Sequence, residues 1–343
     1  MIKATDTTTG LSVQRAGTGF LAKIKEKAFI VTNQHVIDGV STASELKIYK
    51  LDGSEIKTGR VWAAVDHDIA LIECSSSEDS DDYTWEFDPD TLTVKSGDSV
   101  VAIGNPLGGG TLLESKGKVV GLGPRSLELD IAVFPGNSGG PVFLPASGKV
   151  IGIVTMAKAV SKDWFSRLSA QRPYSPIQRG MRIFATRFDT ISTWQEVRWP
   201  EWAAQKKALE THVKRLWAFW SIANTSAQAF TINRNRIIEV PELWNLYQNY
   251  ELQMTRAQSD GDQISQIKFM VMAMDAYFSP HGAFRSELKK LNESAYSWNK
   301  TQRTDYPWSI EFLEHRYQEA YHLWELNRET IQHALKLKDR EGI

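Results

Sequence analysis

The first half of the chain alternates apolar and polar positions in the way that is typical of β-strands. Short apolar runs at 28–32, 61–65 and 69–72 are separated by polar turn signals such as Asp52-Gly53. Residues 91–190 return to the same pattern after a polar interruption. Strands at this spacing predict an antiparallel barrel or sandwich.

From about Trp194 the apolar period becomes helical. Residues 194–201 are interpreted as a linker, and residues 202–343 are predicted to form an all-α bundle of five helices. The first helical stripe consists of apolar residues that share one face: Trp202, Leu209, Val213, Leu216 and Trp220. Similar stripes occur within 243–254, 264–278, 284–291 and 313–331.

Composition narrows the class of protein. The 343 residues are 42% hydrophobic and 24% charged with a net charge of −1, so we expect two or three globular domains and neither a nucleic-acid nor a membrane partner. Cys74 is the only cysteine, residues 1–10 have no apolar core, and no apolar run reaches the length of a membrane span. These features predict a cytoplasmic location.

Residues 75–90 hold seven acidic residues and no basic ones. We interpret them as a solvated loop between the two strand-rich regions. An exosite for a basic substrate is the alternative.

Candidate chemistry centres on Ser138, which lies among glycines at 134–141 between two runs of alternating apolar residues. Glycines allow positive φ and close approach of a substrate. They also let the N–H groups of Gly136, Asn137 and Ser138 converge on a developing oxyanion. The sequence therefore predicts a strand, an exposed turn and a second strand, with a hydroxyl at the turn.

A base and a carboxylate are available for this hydroxyl. His35 follows an apolar strand, and Asp68 directly precedes the apolar run 69–72, with Asp66 nearby as a competing carboxylate. A serine needs a neutral imidazole to take its proton, and that imidazole needs a carboxylate to fix its tautomer. We therefore predict a triad of His35, Asp68 and Ser138.

Four motifs together resemble the HtrA/Deg branch of the trypsin-like serine proteases over about residues 14–188. They are the segments at 31–37, 68–72, 104–106 and 135–141. The resemblance implies two six-stranded β-barrels, at about 11–74 and 91–190 of a protease domain spanning 1–193. It also implies His35 as general base, Asp68 as its orienting carboxylate and Ser138 as nucleophile. Asp68 is preferred to Asp66 because it alone precedes Ile-Ala-Leu.

The same resemblance gives a partial prediction of specificity. The floor of the substrate pocket corresponds to Ala132, which is not acidic, so a preference for Lys or Arg is not expected. Val133, Thr155 and Met156 are assigned to the walls, which suits a small or medium apolar P1 residue. Arg182 would favour an acidic P1 residue if its side chain pointed inward; an outward, solvated orientation is the preferred interpretation.

We therefore predict a serine endopeptidase that cleaves proteins or peptides through an acyl-enzyme and needs no cofactor or metal. Relatives in this branch usually carry a C-terminal PDZ domain, whereas residues 202–343 have a helical pattern and are predicted to regulate the protease or bind a partner protein. Oligomerisation is compatible with this layout. The alternative is a catalytically silent protease-fold scaffold whose helices bind a partner. Roles in protein quality control and in a defence pathway both remain open.

Overall fold

The computed structural model describes residues 1–6, 13–24, 27–74, 85–86, 94–159, 181–223, 240–241, 244–245, 248, 275–300 and 309–341. The chain divides into two compact units. Unit 1 contains Met1–Ala203 together with Tyr296–Trp298. Unit 2 contains Ala204–Ala295 and Asn299–Ile343.

The second strand-rich region forms a closed antiparallel barrel. Its six strands are β10 (Ser99–Gly104), β11 (Leu113–Leu122), β12 (Ser126–Asp130), β13 (Pro141–Phe143), β14 (Val150–Ala159) and β15 (Met181–Arg187). They pair in the order β10-β11-β12-β15-β14-β13, and each of these pairings is antiparallel. Alternate side chains fill the interior because successive residues of a strand point to opposite faces. The core includes Val100, Val119, Leu127, Leu129, Ile151 and Ile183.

The described strands outside this barrel form two sheets. The strands are β1 (Ile2–Asp6), β2 (Val13–Gly17), β3 (Phe20–Ile24), β4 (Lys27–Thr32), β5 (Leu46–Tyr49), β6 (Glu55–Ile56), β7 (Thr58–Ala64), β8 (Ala70–Cys74), β9 (Trp85–Glu86) and β16 (Trp194–Glu196). One sheet has the order β2-β1-β5-β6 and the other β16-β7-β8-β4-β3-β9. The first half contributes β1–β9 to these sheets, and the region after the barrel contributes β16. A β-barrel followed by a helical C-terminal region is thus confirmed, and the first half appears as two sheets in the part of the chain described.

The predicted linker at 194–201 is folded instead. Strand β16 pairs with β7, and the Val197 N–H donates to the Val61 carbonyl over 2.7 Å. Helix α2 (Trp199–Ala223) begins directly afterwards. The polar and aromatic composition suggested a linker. However, Trp194 packs against an apolar cluster that contains Phe29, Leu71 and Ile153, and this packing favours the pairing of β16 with β7.

The predicted acidic loop contains a short strand. Strand β9 pairs in parallel with β3, and the Trp85 ring lies 4.8 Å from the Phe143 ring between centroids. An aromatic side chain inside an acidic run can therefore anchor the run to the sheet. The rest of residues 75–90 lies outside the described residues.

Unit 2 is helical in the residues described. Its elements are most of α2, α3 (Ala283–Ser294), part of α4 (Ser297–Lys300) and α5 (Ile310–Glu341). Its core contains Phe219 stacked on Phe278 with ring centroids 4.1 Å apart, and Phe284 stacked on Tyr317. The stripe predicted within 243–254 and most of the stripe predicted within 264–278 lie outside the described residues. None of the described helices is long and apolar enough to cross a bilayer.

Unit 2 also buries a histidine. His212 is only 5% exposed, and burial lowers the pKa of His212 below its ordinary value of 6.5. As the pH falls below about 6.5, the unfolded chain takes up this proton before the folded chain does, so stability falls with pH. We predict that the free energy of unfolding falls less between about pH 7.5 and about pH 5.5 in His212→Gln than in the wild type. Urea unfolding at these two pH values measures the difference.

The matched control is His322→Gln, because His322 is exposed on α5. This variant should keep the pH dependence of the wild type. An unchanged pH dependence in His212→Gln would contradict the assignment of the loss to His212.

Candidate active site

His35 and Asp68 form a close pair. Helix α1 (Gln34–Ile37) begins just after strand β4 and carries His35 in its first turn. The Asp68 Oδ2 atom lies 2.6 Å from His35 Nδ1, and Asp68 Oδ1 accepts the His35 backbone N–H at 2.9 Å. Their side chains are 12% and 9% exposed. Because an ionised carboxylate only accepts, Nδ1 is the donor in this contact; in a neutral imidazole held this way, Nε2 carries the lone pair that can act as a base.

The neighbouring acid, Asp66, faces another group. It has a positive φ of 62°, and its carbonyl accepts a bond from Arg125 Nη1 at 3.2 Å. Its carboxylate lies 3.7 Å from Arg125 Nη2 and is 46% exposed. The positive φ of Asp66 changes the direction of the chain just before Asp68. Asp66 therefore faces Arg125, whereas Asp68 faces His35.

His67, between the two acids, is held inside the fold. Its Nδ1 lies 3.0 Å from the Val65 carbonyl and its Nε2 lies 2.8 Å from Thr190 Oγ1. Burial lowers the pKa of His67 below its ordinary value. Both ring nitrogens of His67 therefore have structural partners.

Asn33 connects the aspartate to the barrel. Its Nδ2 donates to the Asp68 carbonyl at 2.7 Å and lies 3.2 Å from Thr155 Oγ1. The Thr155 hydroxyl in turn lies 2.6 Å from Thr186 Oγ1 and 3.1 Å from the Ile153 carbonyl. Asn33 is fully buried, so it fixes Asp68 against strand β14.

The turn before Ser138 has a defined geometry. The Asn137 N–H donates to the Phe134 carbonyl at 3.0 Å, Pro135 is the second residue, and Gly136 has a φ of +98°. Positive φ at the third position is the mark of a type II turn. The Pro135 carbonyl accepts the Leu107 N–H at 2.7 Å. Because the N–H and C=O of a trans peptide point in opposite directions, the Gly136 N–H faces away from Leu107.

Two N–H groups of this turn are left over. Among the described residues, neither the Gly136 nor the Ser138 N–H donates to a protein acceptor, whereas the Asn137 N–H is used within the turn. Unused donors beside a nucleophile are what an oxyanion hole requires. Of the three predicted donors, the geometry therefore leaves Gly136 and Ser138 available and Asn137 occupied.

Thr18 holds the Ser138 turn against the first half. Its N–H donates to the Ser138 carbonyl at 2.9 Å and its hydroxyl donates to the Gly136 carbonyl at 2.7 Å. Its own carbonyl accepts the Thr32 hydroxyl at 2.8 Å, and its hydroxyl accepts the Asn105 N–H at 2.8 Å. Thr32 ends the strand that leads to His35, so Thr18 connects the segments that carry Ser138 and His35.

In the residues described, no hydrogen bond joins the Ser138 hydroxyl to His35. Catalytic hydrogen bonds often form only when substrate is bound.

Gly139 is required by this close approach. It has a φ of +86°, and a Cβ there would lie 2.1 Å from the Thr18 carbonyl and 2.3 Å from Thr32 Oγ1. We predict that Gly139→Ala destabilises the fold by more than about 3 kcal/mol, because backbone strain and a backbone clash add. Gly148→Ala is the matched control, since Gly148 also has positive φ but nothing lies within 4 Å. It should cost about 1 kcal/mol in urea unfolding; equal costs would contradict the prediction.

The predicted specificity residues are only partly described. Ala132 and Val133 follow β12 and are half-buried, and Val133 packs against the core of the barrel. Thr155 is buried and its hydroxyl is engaged by Asn33. The Met156 backbone lies in β14, and its side chain lies outside the described residues.

Arg182 points to a neighbouring strand. Its Nε and Nη2 atoms make a two-point contact with Glu128 at 2.8 and 2.7 Å, and its guanidinium lies 5.2 Å from the centre of the Phe184 ring. The side chain is 41% exposed. Glu128 thus occupies two donors of the guanidinium, and the role of Arg182 in substrate binding stays a prediction.

Three residues that position the pair and the turn have weak sequence signals. Thr18 stands between two glycines, and Asn33 and Gln34 are a polar pair between a buried strand and His35. All three are buried. A buried polar side chain needs partners, but the sequence does not say which ones.

Residues 17–153 match the family described as the trypsin-like peptidase domain. A probable periplasmic serine endoprotease, DegP-like, from Rhizobium meliloti is 38% identical over 146 residues, which cover 40% of this chain and 27% of that protein. The serine protease Do-like HtrA of Bacillus subtilis is 30% identical over 194 residues, covering 46% of this chain and 41% of that protein. The chain thus matches less than half the length of these relatives.

The crystal structure of the serine endoprotease from Yersinia pestis aligns with 54% of this chain and 57% of that chain. The identity is 22% and the TM-score is 0.37.

The predicted cytoplasmic location is contradicted by the relatives. The Rhizobium meliloti protein and others like it are named periplasmic, which points away from the cytoplasm. The prediction relied on the composition of residues 1–10 and on a single cysteine. Residues Ile2–Asp6 form a strand of the fold, so their composition reflects pairing with β2 and β5. A single cysteine cannot form an intrachain disulfide in any compartment, so it does not distinguish between them.

Proposed function

We propose that this chain, whose residues 17–153 form a trypsin-like peptidase domain with HtrA/DegP-like serine protease relatives, is a serine endopeptidase. The observation that supports this best is the 2.6 Å contact between Asp68 and His35 Nδ1, in the same unit as a glycine-bounded serine turn with two unused N–H donors. His35 is the proposed base, Asp68 its orienting carboxylate and Ser138 the nucleophile.

The proposed reaction proceeds in two stages. His35 Nε2 takes the proton from the Ser138 hydroxyl as the oxygen attacks the substrate carbonyl carbon, and the Asp68 carboxylate stabilises the resulting imidazolium. The imidazolium then gives this proton to the leaving amine, and the acyl-enzyme remains on Ser138. A water molecule, deprotonated by His35, attacks the ester and releases the acid, which restores the serine.

The N–H groups of Gly136 and Ser138 are the proposed donors to the oxyanion. The Leu107 contact to the Pro135 carbonyl supports this assignment, because in a trans peptide it makes the Gly136 N–H point the opposite way, away from Leu107. Losing one such donor typically costs about 3–4 kcal/mol of transition-state stabilisation.

The proposed substrates are proteins or peptides, with a small or medium apolar P1 residue. Two observations support this preference. Position 132 is an alanine and not an acidic residue, and the Arg182 guanidinium is paired with Glu128. The two sheets of the first half are proposed to correspond to the first barrel of a double-barrel protease. The helical unit is proposed to serve in regulation or partner recognition.

A silent scaffold is the second candidate, since no hydrogen bond joins Ser138 to His35 among the described residues. Treatment of the full chain with a fluorophosphonate probe separates the two. The proposal expects a covalent adduct on Ser138, mapped by mass spectrometry, and none in Ser138→Ala. No adduct on the wild type, with or without a protein substrate such as casein present, would favour the scaffold.

A further inference from the structure

A three-residue segment from late in the chain forms hydrogen bonds with residues of unit 1. Tyr296–Trp298 belongs to unit 1, whereas the flanking residues Ala295 and Asn299 belong to unit 2. Tyr296, Ser297 and Trp298 are 0%, 3% and 3% exposed. We call these three residues the 296–298 segment.

Ser297 and Gln34 share a buried network of hydrogen bonds. Gln34 Nε2 lies 2.8 Å from the Ala64 carbonyl, 2.7 Å from the His67 carbonyl and 2.5 Å from Ser297 Oγ. The Ser297 hydroxyl donates to the Ala64 carbonyl and lies 3.1 Å from the His67 carbonyl. The Gln34 Oε1 atom accepts the Trp298 N–H at 3.2 Å. Both the Nε2 and the Oε1 atom of Gln34 are therefore hydrogen-bonded to the 296–298 segment.

An aromatic cluster anchors the segment. The ring of Trp202 lies 4.9 Å from the Tyr296 ring and 6.2 Å from the Trp298 ring, between centroids. The Tyr296 hydroxyl accepts the Arg198 N–H at 3.1 Å. Tryptophan and tyrosine supply large buried area with a polar handle, so the segment is held by more than the Ser297 hydroxyl alone.

The network ends next to both members of the His35–Asp68 pair. Gln34 directly precedes His35, and His67 directly precedes Asp68. The turn from Ala64 to Asp68 contains the strained residue Asp66 and presents two buried carbonyls toward Gln34 and Ser297. Buried carbonyls need donors, so the path of this turn depends on them.

We propose that Ser297 and Gln34 are positioning residues that set the distance and angle between Asp68 and His35. The inference rests on the proposed protease function and adds to it a residue 229 positions beyond Asp68 (297 against 68). The 296–298 segment itself belongs to unit 1, although the chain on both sides of it belongs to unit 2. The two residues contribute to catalysis by aligning the pair.

The test compares three variants of the full chain. Ser297→Ala should lower kcat on a peptide substrate by about 10- to 100-fold with KM changed by less than about twofold, because misalignment of a base affects the chemical step. Ser297→Thr keeps the hydroxyl and should recover most of the loss. Ser294→Ala is the matched control, since Ser294 is an exposed serine three residues earlier whose hydroxyl, among the described residues, bonds only to carbonyls of its own helix.

A second variant guards against a folding defect. Gln34→Met is close to glutamine in volume and removes the same hydrogen bonds, so it should show a similar loss in kcat. Thermal unfolding confirms that each variant is folded. If folded Ser297→Ala or folded Gln34→Met retains kcat within about twofold of the wild type, the proposal is overturned.

A spectroscopic readout separates this inference from the protease assignment. In the wild type, we expect the Nδ1 proton between His35 and Asp68 to give a low-field proton resonance, because the two atoms are only 2.6 Å apart; this signal depends on their hydrogen bond and not on turnover. Ser297→Ala should shift or broaden this resonance, and Ser294→Ala should leave it unchanged. If the wild type neither cleaves peptides nor reacts with fluorophosphonate, the protease assignment fails, while the resonance still decides the positioning role. An unchanged resonance in Ser297→Ala counts against that role.

Discussion

Ser138→Ala will lower kcat for peptide hydrolysis by about 10⁶-fold and leave KM nearly unchanged. The hydroxyl is the only atom group removed, and without it no acyl-enzyme can form, so what remains is catalysis by the oxyanion donors and by binding. The turn itself should persist, because the Thr18 contacts are made to the Ser138 backbone carbonyl and the Gly136 carbonyl. Steady-state kinetics on a fluorogenic peptide library measures the effect.

The matched control is Ser147→Ala. Ser147 is an exposed serine in the turn between β13 and β14, and its hydroxyl accepts only the Lys149 N–H at 3.4 Å in the described residues. This variant should retain kcat within about twofold. A Ser138→Ala enzyme that still turns over at more than about 1% of the wild-type rate would contradict the role of Ser138.

Asp68→Asn will lower kcat by about 10⁴-fold in a folded protein. The carboxylate accepts from both the His35 backbone N–H and His35 Nδ1, and an amide can present only one acceptor oxygen. An asparagine NH₂ facing Nδ1 favours the tautomer that carries its proton on Nε2, which cannot act as a base toward Ser138. The pair is largely buried, so solvent does not replace the lost acceptor.

Asp66→Asn distinguishes the two acids. Asp66 is half-exposed and faces Arg125, and asparagine tolerates its positive φ. Its kcat should stay within about threefold of the wild type. The assignment of Asp68 would be wrong if Asp66→Asn caused the larger loss.

Much of the site could be predicted from the sequence because its elements are local. A histidine after an apolar strand, an aspartate before another and a serine among glycines each depend on residues within a few positions. The closed barrel of β10–β15 follows from the same alternation. The different partners of Asp66 and Asp68 could not be predicted from the sequence. They depend on the positive φ of Asp66 and on Arg125, which lies 57 positions after Asp68.

The remaining features depend on contacts between distant positions. Thr18 bonds to residues around 105 and 136–138, and Ser297 reaches Ala64, 233 positions away. Short polar side chains of this kind carry no periodic signal, and their role appears only when their buried partners are known. Strand β16 was predicted as linker for the same reason, since its pairing partner β7 lies more than a hundred residues earlier. The location was misjudged because strand composition at residues 2–6 was interpreted in terms of export.

The most direct test of the proposed function is the rate of fluorophosphonate labelling of the full chain, with the modified residue identified by mass spectrometry. We predict a single adduct on Ser138, its complete loss in Ser138→Ala, strongly slowed labelling in Asp68→Asn and unchanged labelling in Asp66→Asn. No adduct on the wild type, or an adduct that persists in Ser138→Ala, would contradict it.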